Sequence, residues 1–182
     1  MAALHTMPIM AHLRPLIEAR SGAPTLQCDL SAMRDYLGFD PAAMRRDGFD
    51  PSTIEMHEQY YDRLEAFAQH PLIGEYLTTL TPIDSYEASG IGVCTLHHIR
   101  ETTFGEGSPD SDLFPHGFVP IAGDGGGNSV SFHSPSGRVI FAHHERTDDI
   151  IAGDAPVLSD DIGAFLDDLI HDRLTERLDE LD

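Results

Sequence analysis

The sequence predicts an α+β domain: a mainly antiparallel β-sheet flanked by helices, with a helical N-terminal region. Three observations predict it. The stretch from Phe118 to Glu145 has the alternation and turn chemistry of consecutive short strands. Two copies of Gly-Phe-Asp-Pro punctuate a run of helices between residues 31 and 70. An amphipathic pattern follows Ser159. At 182 residues and 20.0 kDa the chain suits one domain, residues 1–182, which buries about 70% of the surface its unfolded chain exposes. Residues 1–80 are expected to be mostly helical, and residues 90–182 to supply the sheet and the closing helix.

The strands are read from side-chain type and period. Phe118 to Ala122 is a β-branched and aromatic run, and Gly123 and Gly125 to Gly127 after it supply the φ > 0 freedom of a tight turn. Asn128 to His133 alternates, with Val130 and Phe132 on one face and Ser129, Ser131 and His133 on the other. Ser134-Pro135-Ser136-Gly137 is a four-residue turn, and Arg138 to His144 returns. Closing the hairpin with His133 opposite Arg138 sets Phe132 opposite Val139 and Val130 opposite Phe141, so that face should meet the core. The other face carries Ser129, Ser131, His133, Arg138, Ile140, Ala142 and His144; being partly apolar, it is either half covered or part of a contact surface.

The helices are read from stops and caps. Ile9, Leu13, Leu16 and Ile17 have helical spacing, but Pro15 breaks such a helix from within, so Met1 to Gln27 is expected as a short helix or an arm. Gly38-Phe39-Asp40-Pro41 and Gly48-Phe49-Asp50-Pro51 each supply a helix stop, an apolar residue, an N-cap aspartate and a proline at the first helical position. Helices should run from Ser31 to Leu37, Pro41 to Asp47 and Pro51 to about His70. The last has an apolar stripe of Ile54, Tyr60, Tyr61, Leu64, Phe67 and Ala68. Two copies ten residues apart punctuate a chain and do not make a solenoid. After Pro71, Leu72 to Leu80 is a further helical stretch. Gly90 to Ile99 is expected as a strand, with Ile91, Val93, Thr95 and His97 on one side and Gly92, Cys94, Leu96 and His98 on the other. Glu101 to Gly117 and Arg146 to Pro156 read as loops. From Ser159 on, Asp160 and Asp161 complement a helix N-terminus, and Ile162, Phe165, Leu166, Leu169, Ile170, Leu174 and Leu178 form the face that caps the sheet.

The formal net charge is −20, and every basic residue is arginine. Nucleic acid and anionic membrane surfaces are disfavoured partners, because both require clustered positive charge. A basic protein is an easier one, and the plainer reading is that acidity serves solubility. Cys28 and Cys94 are too few for a disulfide framework or a zinc pattern, which fits a reducing cytoplasm. Met1 to Met10 has neither the basic patch nor the apolar run of a leader or membrane span, so a soluble, cytoplasmic chain is expected.

Taken together, a strand ending near Pro120, an aspartate before a glycine run, an alternating strand, a turn, a strand ending in His144-Glu145, a loop and the helix Ile162-Gly-Ala-Phe165-Leu166 resemble the C-terminal half of the SUKH superfamily. The match runs over residues 113–169, and Asp124 to Asn128 and Ile162 to Leu166 carry it. That grouping includes the yeast cell-wall-assembly regulator and many bacterial homologues. The chain departs from it in having no tryptophan, and His133 stands where an aspartate is common. The resemblance implies the α+β fold with a mainly antiparallel sheet. It also implies a non-enzymatic role without cofactor, in bacteria that of an immunity protein which binds and neutralises a cognate toxin, often a nuclease.

A nuclease toxin holds phosphates with a basic surface, which a −20 partner would be steered to and cover. The candidate contact residues are Glu106, Asp110, Asp112 and Asp124 in acidic loops and His133, Arg138 and His144 on the outward hairpin face. The plainer reading of each acid is a solvated loop residue or a turn cap. The rival within binding proteins is a regulatory or scaffolding module. Outside that class, 11 histidines raise a metal-dependent hydrolase built on His97-His98, or on His143-His144-Glu145, with Asp124. Adjacent histidines on a strand point to opposite faces, so at most one of each pair can join such a site. No His-x-x-x-His or Glu-x-x-His motif supports it, so no metal ligand is assigned. Gly127-Asn128-Ser129-Val130-Ser131 begins like a nucleophile elbow but lacks the closing glycine and the following helix. Asp124 to Asn128 is favoured as a turn over an anion nest. Asp110-Ser111-Asp112 lacks the glycine and distal glutamate of a calcium loop.

Overall fold

The computed structural model describes residues 6–70, 73–104, 108–175 and 178. Four helices come first: α1 (Thr6–Ser21), α2 (Leu30–Tyr36), α3 (Pro41–Arg46) and α4 (Pro51–Ala68), followed by a π-helical turn, Tyr76–Leu80. Then come β1 (Glu87–Ala88), β2 (Ile91–Val93), α5 (Leu96–Phe104), α6 (Pro109–Leu113) and a 3₁₀ turn, Phe114–His116. The rest is β3 (Phe118–Asp124), β4 (Ser129–His133), β5 (Arg138–Ala142), α7 (Thr147–Ile151), β6 (Val157–Ser159) and α8 (Ile162–Ile170). The strands make one six-stranded antiparallel sheet in the order β1-β2-β3-β4-β5-β6, which is the α+β class expected.

The central hairpin has the register that its side-chain pattern demands, with His133 opposite Arg138, Phe132 opposite Val139 and Val130 opposite Phe141. A one-residue slip would put Val130 and Phe132 on the wrong face of the sheet. That face meets Phe165, Leu166 and Leu169 of α8, Leu13 and Ile17 of α1, and Tyr60, Tyr61 and Leu64 of α4 in one continuous core. The β3–β4 register shifts between Pro120 and Ala122, at the strand residue that has no N–H to donate. The opposite face is covered as well: Phe118, Ile140 and Ala142 pack with Leu113 of α6 and Ile150 of α7 in a second cluster. Across it the cross-strand partners Gly92, Gly123, Ser129 and Ala142 form a row of small residues. Both α5 and α6 lie against β3.

The two Gly-Phe-Asp-Pro copies act as the sequence predicts. Gly38 and Gly48 take φ of 69° and 82°, and Asp40 and Asp50 accept N–H groups of the following helices. Elsewhere tertiary packing overrides local signals. α1 continues straight through Pro15. A proline inside a helix costs about 3 kcal/mol. Full burial of Leu13 and Ile17 on either side of it returns about 1.5–3 kcal/mol each, so packing wins.

The expected strand from Gly90 to Ile99 stops at Val93, because Thr95 Oγ1 accepts the His98 N–H at 3.1 Å and opens α5. Leu96, Ile99 and Thr103 are its buried stripe. The expected loops also contain helix: residues 101–104 finish α5, and α6 and α7 lie within Glu101–Gly117 and Arg146–Pro156. α8 caps the sheet but ends at Ile170, short of the predicted Leu178. Asp172, at φ 55°, turns the chain there, although Leu174 is still fully buried. Leu72 lies outside the described residues. Within the expected stretch to Leu80, the Tyr76 hydroxyl bonds to the carbonyls of Ile121 (3.1 Å) and Cys94 (3.3 Å), tying the helical half to the sheet. No described helix is long and apolar enough to cross a membrane.

Candidate functional site

The polar groups of interest gather at the end of the sheet where β3 turns into β4. Asp124 organises the turn. Its Oδ1 accepts the N–H groups of Gly126 and Asn128, both at 2.9 Å, and its Oδ2 accepts Asn128 Nδ2 at 2.7 Å. Gly127 lies at φ 93°, a conformation other residues rarely adopt. Asn128 then reaches across to the end of β5. Its Oδ1 accepts the His144 N–H at 3.1 Å and lies 2.9 Å from His144 Nδ1. An amide oxygen only accepts, so that nitrogen carries the hydrogen. His143 and His144 do not point to opposite faces. Both lie beyond the end of β5, and their rings stack 4.9 Å apart at 14°.

Two clefts lie near this network, one lined by Asp124 and one by Glu145, the residue after His144. The first, about 450 Å³, lies between β2, the β3–β4 turn and α5, and is lined by Glu87, His97, His98, Glu101 and Asp124 over Gly92 and Gly123. His97, His98 and Asp124 therefore do share a cleft, with both histidines on a helix. Even so, no group of three His, Cys, Asp or Glu among the described residues could hold a metal ion. The second cleft, about 600 Å³, lies between α6 and α7 and is lined by Asp112, His116, Glu145, Arg146, Asp148 and Asp149. Arg146, the sole arginine among the described residues of its walls, lies 3.0 Å from Asp149 and 3.7 Å from Asp154.

Asp110 sits behind the first cleft. It is 7% exposed, so it is not the surface contact the sequence reading made it. Its Oδ1 accepts the Ser129 hydroxyl at 2.7 Å, fastening α6 to β4. Burial pushes its pKa up, and the Ser129 bond and nearby His98 pull the other way. The same bond engages the serine of the incomplete nucleophile elbow.

The other sequence candidates fall in different places. Asp112 lines the second cleft together with Glu145, His144 belongs to the Asn128 network, and Asp124 lines the first cleft. His133 and Arg138 are at the far end of the hairpin. The His133 ring stacks 4.3 Å from Phe118 and its Nδ1 meets Ser136 Oγ at 2.8 Å, and burial lowers its pKa. Arg138 faces Asp160 at 3.4 Å. Glu106 lies outside the described residues. The sequence reading missed Glu87, Glu101, Asp148 and Asp149. A Thr95 cap followed by Leu96 and Ile99 was the signal available for Glu101.

The arginines complete the electrostatic picture. Arg14, Arg20, Arg34, Arg45, Arg46, Arg138, Arg146 and Arg173 each lie within ion-pair distance of a carboxylate of the same chain. Arg63 lies over the Phe114 ring, and Arg100 lies near Tyr61 and His57. Burial raises the pKa of Tyr61 and lowers that of His57, and the positive charge of Arg100 pulls both down. Glu87, Glu101, Asp112, Glu145, Asp148 and Asp149 are exposed along the two clefts. Compared with protein-family models, curated proteins and solved structures, the chain finds no match.

Proposed function

We propose that this chain is a non-enzymatic protein-binding domain of the bacterial immunity type, which neutralises a basic toxin domain by covering it with the anionic face at the β3–β4 end of the sheet. One observation carries the reading: eight of the ten described arginines already pair with carboxylates of the same chain, while Glu87, Asp112 and Asp148 line the two clefts with no arginine partner among the described residues. Such a face steers a cationic partner and repels nucleic acid. It favours proteins whose own binding surface is basic, as that of a nuclease must be. Asp124 and Asp110 act inside the fold, as the turn anchor and the α6 clamp. Asp112, Glu145 and Asp148 supply the contact charge, beside the Arg146–Asp149 pair.

The test is co-expression with the products of neighbouring genes, followed by a survival assay and affinity capture. Rescue of toxin-expressing cells only in the presence of this chain is the expected result. Capture of an endogenous partner without any rescue would replace immunity with a regulatory or scaffolding role, and failure of both would remove protein binding itself.

A further inference from the structure

The two Gly-Phe-Asp-Pro copies are locally alike, yet their phenylalanines have different fates. Each copy has a positive-φ glycine, an aspartate N-cap and a proline opening a helix. Phe39 turns inward and stacks on Tyr61 with ring centres 4.4 Å apart, fixing the α2–α3 corner to α4. Phe49 leaves 51% of its surface in solvent, the most exposed of the large apolar side chains among the described residues. Helix capping therefore does not account for it, since the other copy caps equally well with its ring packed.

Phe49 opens onto a groove of about 560 Å³ between α3 and α4, lined also by Pro51, Ile54, Arg45, Glu55 and Glu58. Its floor is apolar and its rim is acidic. Arg45 reaches Glu58 from across the groove at 3.4 Å, an exposed pair that an incoming cation can displace at little cost. No described arginine pairs Glu55. A second copy of this chain is a poor occupant, because each copy carries a formal charge of −20 and would bring a like rim.

We propose that the α3–α4 groove docks an amphipathic basic segment of a partner protein, with an aliphatic or aromatic side chain against the Phe49 ring and a lysine or arginine at Glu55 or Glu58. The inference rests on the reading that the partner is a basic protein, and it adds a second contact on the helical half of the molecule.

The test is an NMR titration of the isotope-labelled full chain with three synthetic probes: a helical Leu/Lys peptide with leucines at i, i+3 and i+4 spacing, a matched Leu/Glu peptide, and oligolysine. Expected are amide shifts over Gly48 to Glu58 with the Leu/Lys peptide alone. Affinity should fall about tenfold or more in Phe49→Ala and in Glu55→Lys. Equal binding of oligolysine, shifts confined to the two clefts, or full affinity in Phe49→Ala would overturn the proposal. The survival assay separates the two readings. Rescue by Phe49→Ala as complete as by the wild type removes the groove and leaves immunity. Absence of rescue by the wild type, with the peptide still seated at Phe49, does the reverse.

Discussion

Asp124→Ala removes three accepted hydrogen bonds in one substitution: two backbone N–H groups at 2.9 Å and the Asn128 amide at 2.7 Å. A hydrogen bond to a charged group contributes about 1.5–3 kcal/mol when buried. Asp124 is only half-buried, so water replaces much of each bond and about half of the low end remains, for a loss of about 2–3 kcal/mol over the three bonds. In a chain of this length each kcal/mol moves the melting temperature by about 2–4 °C, so a drop of about 4–12 °C is expected. Asp124→Asn keeps an oxygen for the two backbone groups and should lose about 1 kcal/mol. Thermal unfolding gives the magnitude, and hydrogen exchange at Gly126 and Asn128 locates it. The contrary result is an alanine variant that melts within about 1 °C of the wild type while losing affinity for its partner. That result would mean the carboxylate faces the partner and the turn holds without it.

Three further outcomes follow from the same contacts. For Asp110 the buried carboxyl has a raised pKa, so its ionised form is disfavoured in the fold; its stabilising contribution is full below the ordinary carboxylate range and is lost as pH rises through the folded pKa. Asp110→Asn keeps an acceptor for Ser129 and should be more stable than the wild type at pH 7, with the difference shrinking toward pH 4 in urea titrations; a difference independent of pH would contradict this. Phe132→Ala empties a fully buried site opposite Val139 and should cost about 3–5 kcal/mol in equilibrium urea unfolding. Gly127→Ala forces a side chain onto φ 93° and should cost about 1–2 kcal/mol in the same assay, with the Asn128–His144 contact weakened in NMR spectra.

The parts of the fold that were legible in the sequence are those set by neighbours in the chain. Alternation from Asn128 to His133 and turn residues on either side determine the hairpin and its register, and aspartate-proline pairs determine where α3 and α4 begin. Gly90 to Ile99 misled because a short apolar run suits either a strand or a buried helix face, and the deciding Thr95 cap is a single hydroxyl. α1 was obscured by Pro15, whose local cost is offset only by burial of Leu13 and Ile17 among residues far along the chain. The same division holds for the site. Asp124 was visible as turn chemistry, whereas the burial of Asp110 depends on where the five-residue α6 comes to rest against Ser129. The engagement of the arginines was invisible for a similar reason, since pairs such as Arg20 with Asp172 form only once the chain has folded.

Partner binding should depend on the charge of the exposed carboxylates. Affinity of the chain for the neighbouring-gene product it captures should be measured by calorimetry between 50 and 200 mM salt, for the wild type and for a variant carrying Asp112→Asn, Glu145→Gln and Asp148→Asn. A basic partner held by the exposed carboxylates should lose about tenfold in affinity over that salt range, and about tenfold or more in the variant, whose melting temperature stays the same. Affinity indifferent to both salt and the three substitutions would mean that the exposed carboxylates do not hold the partner.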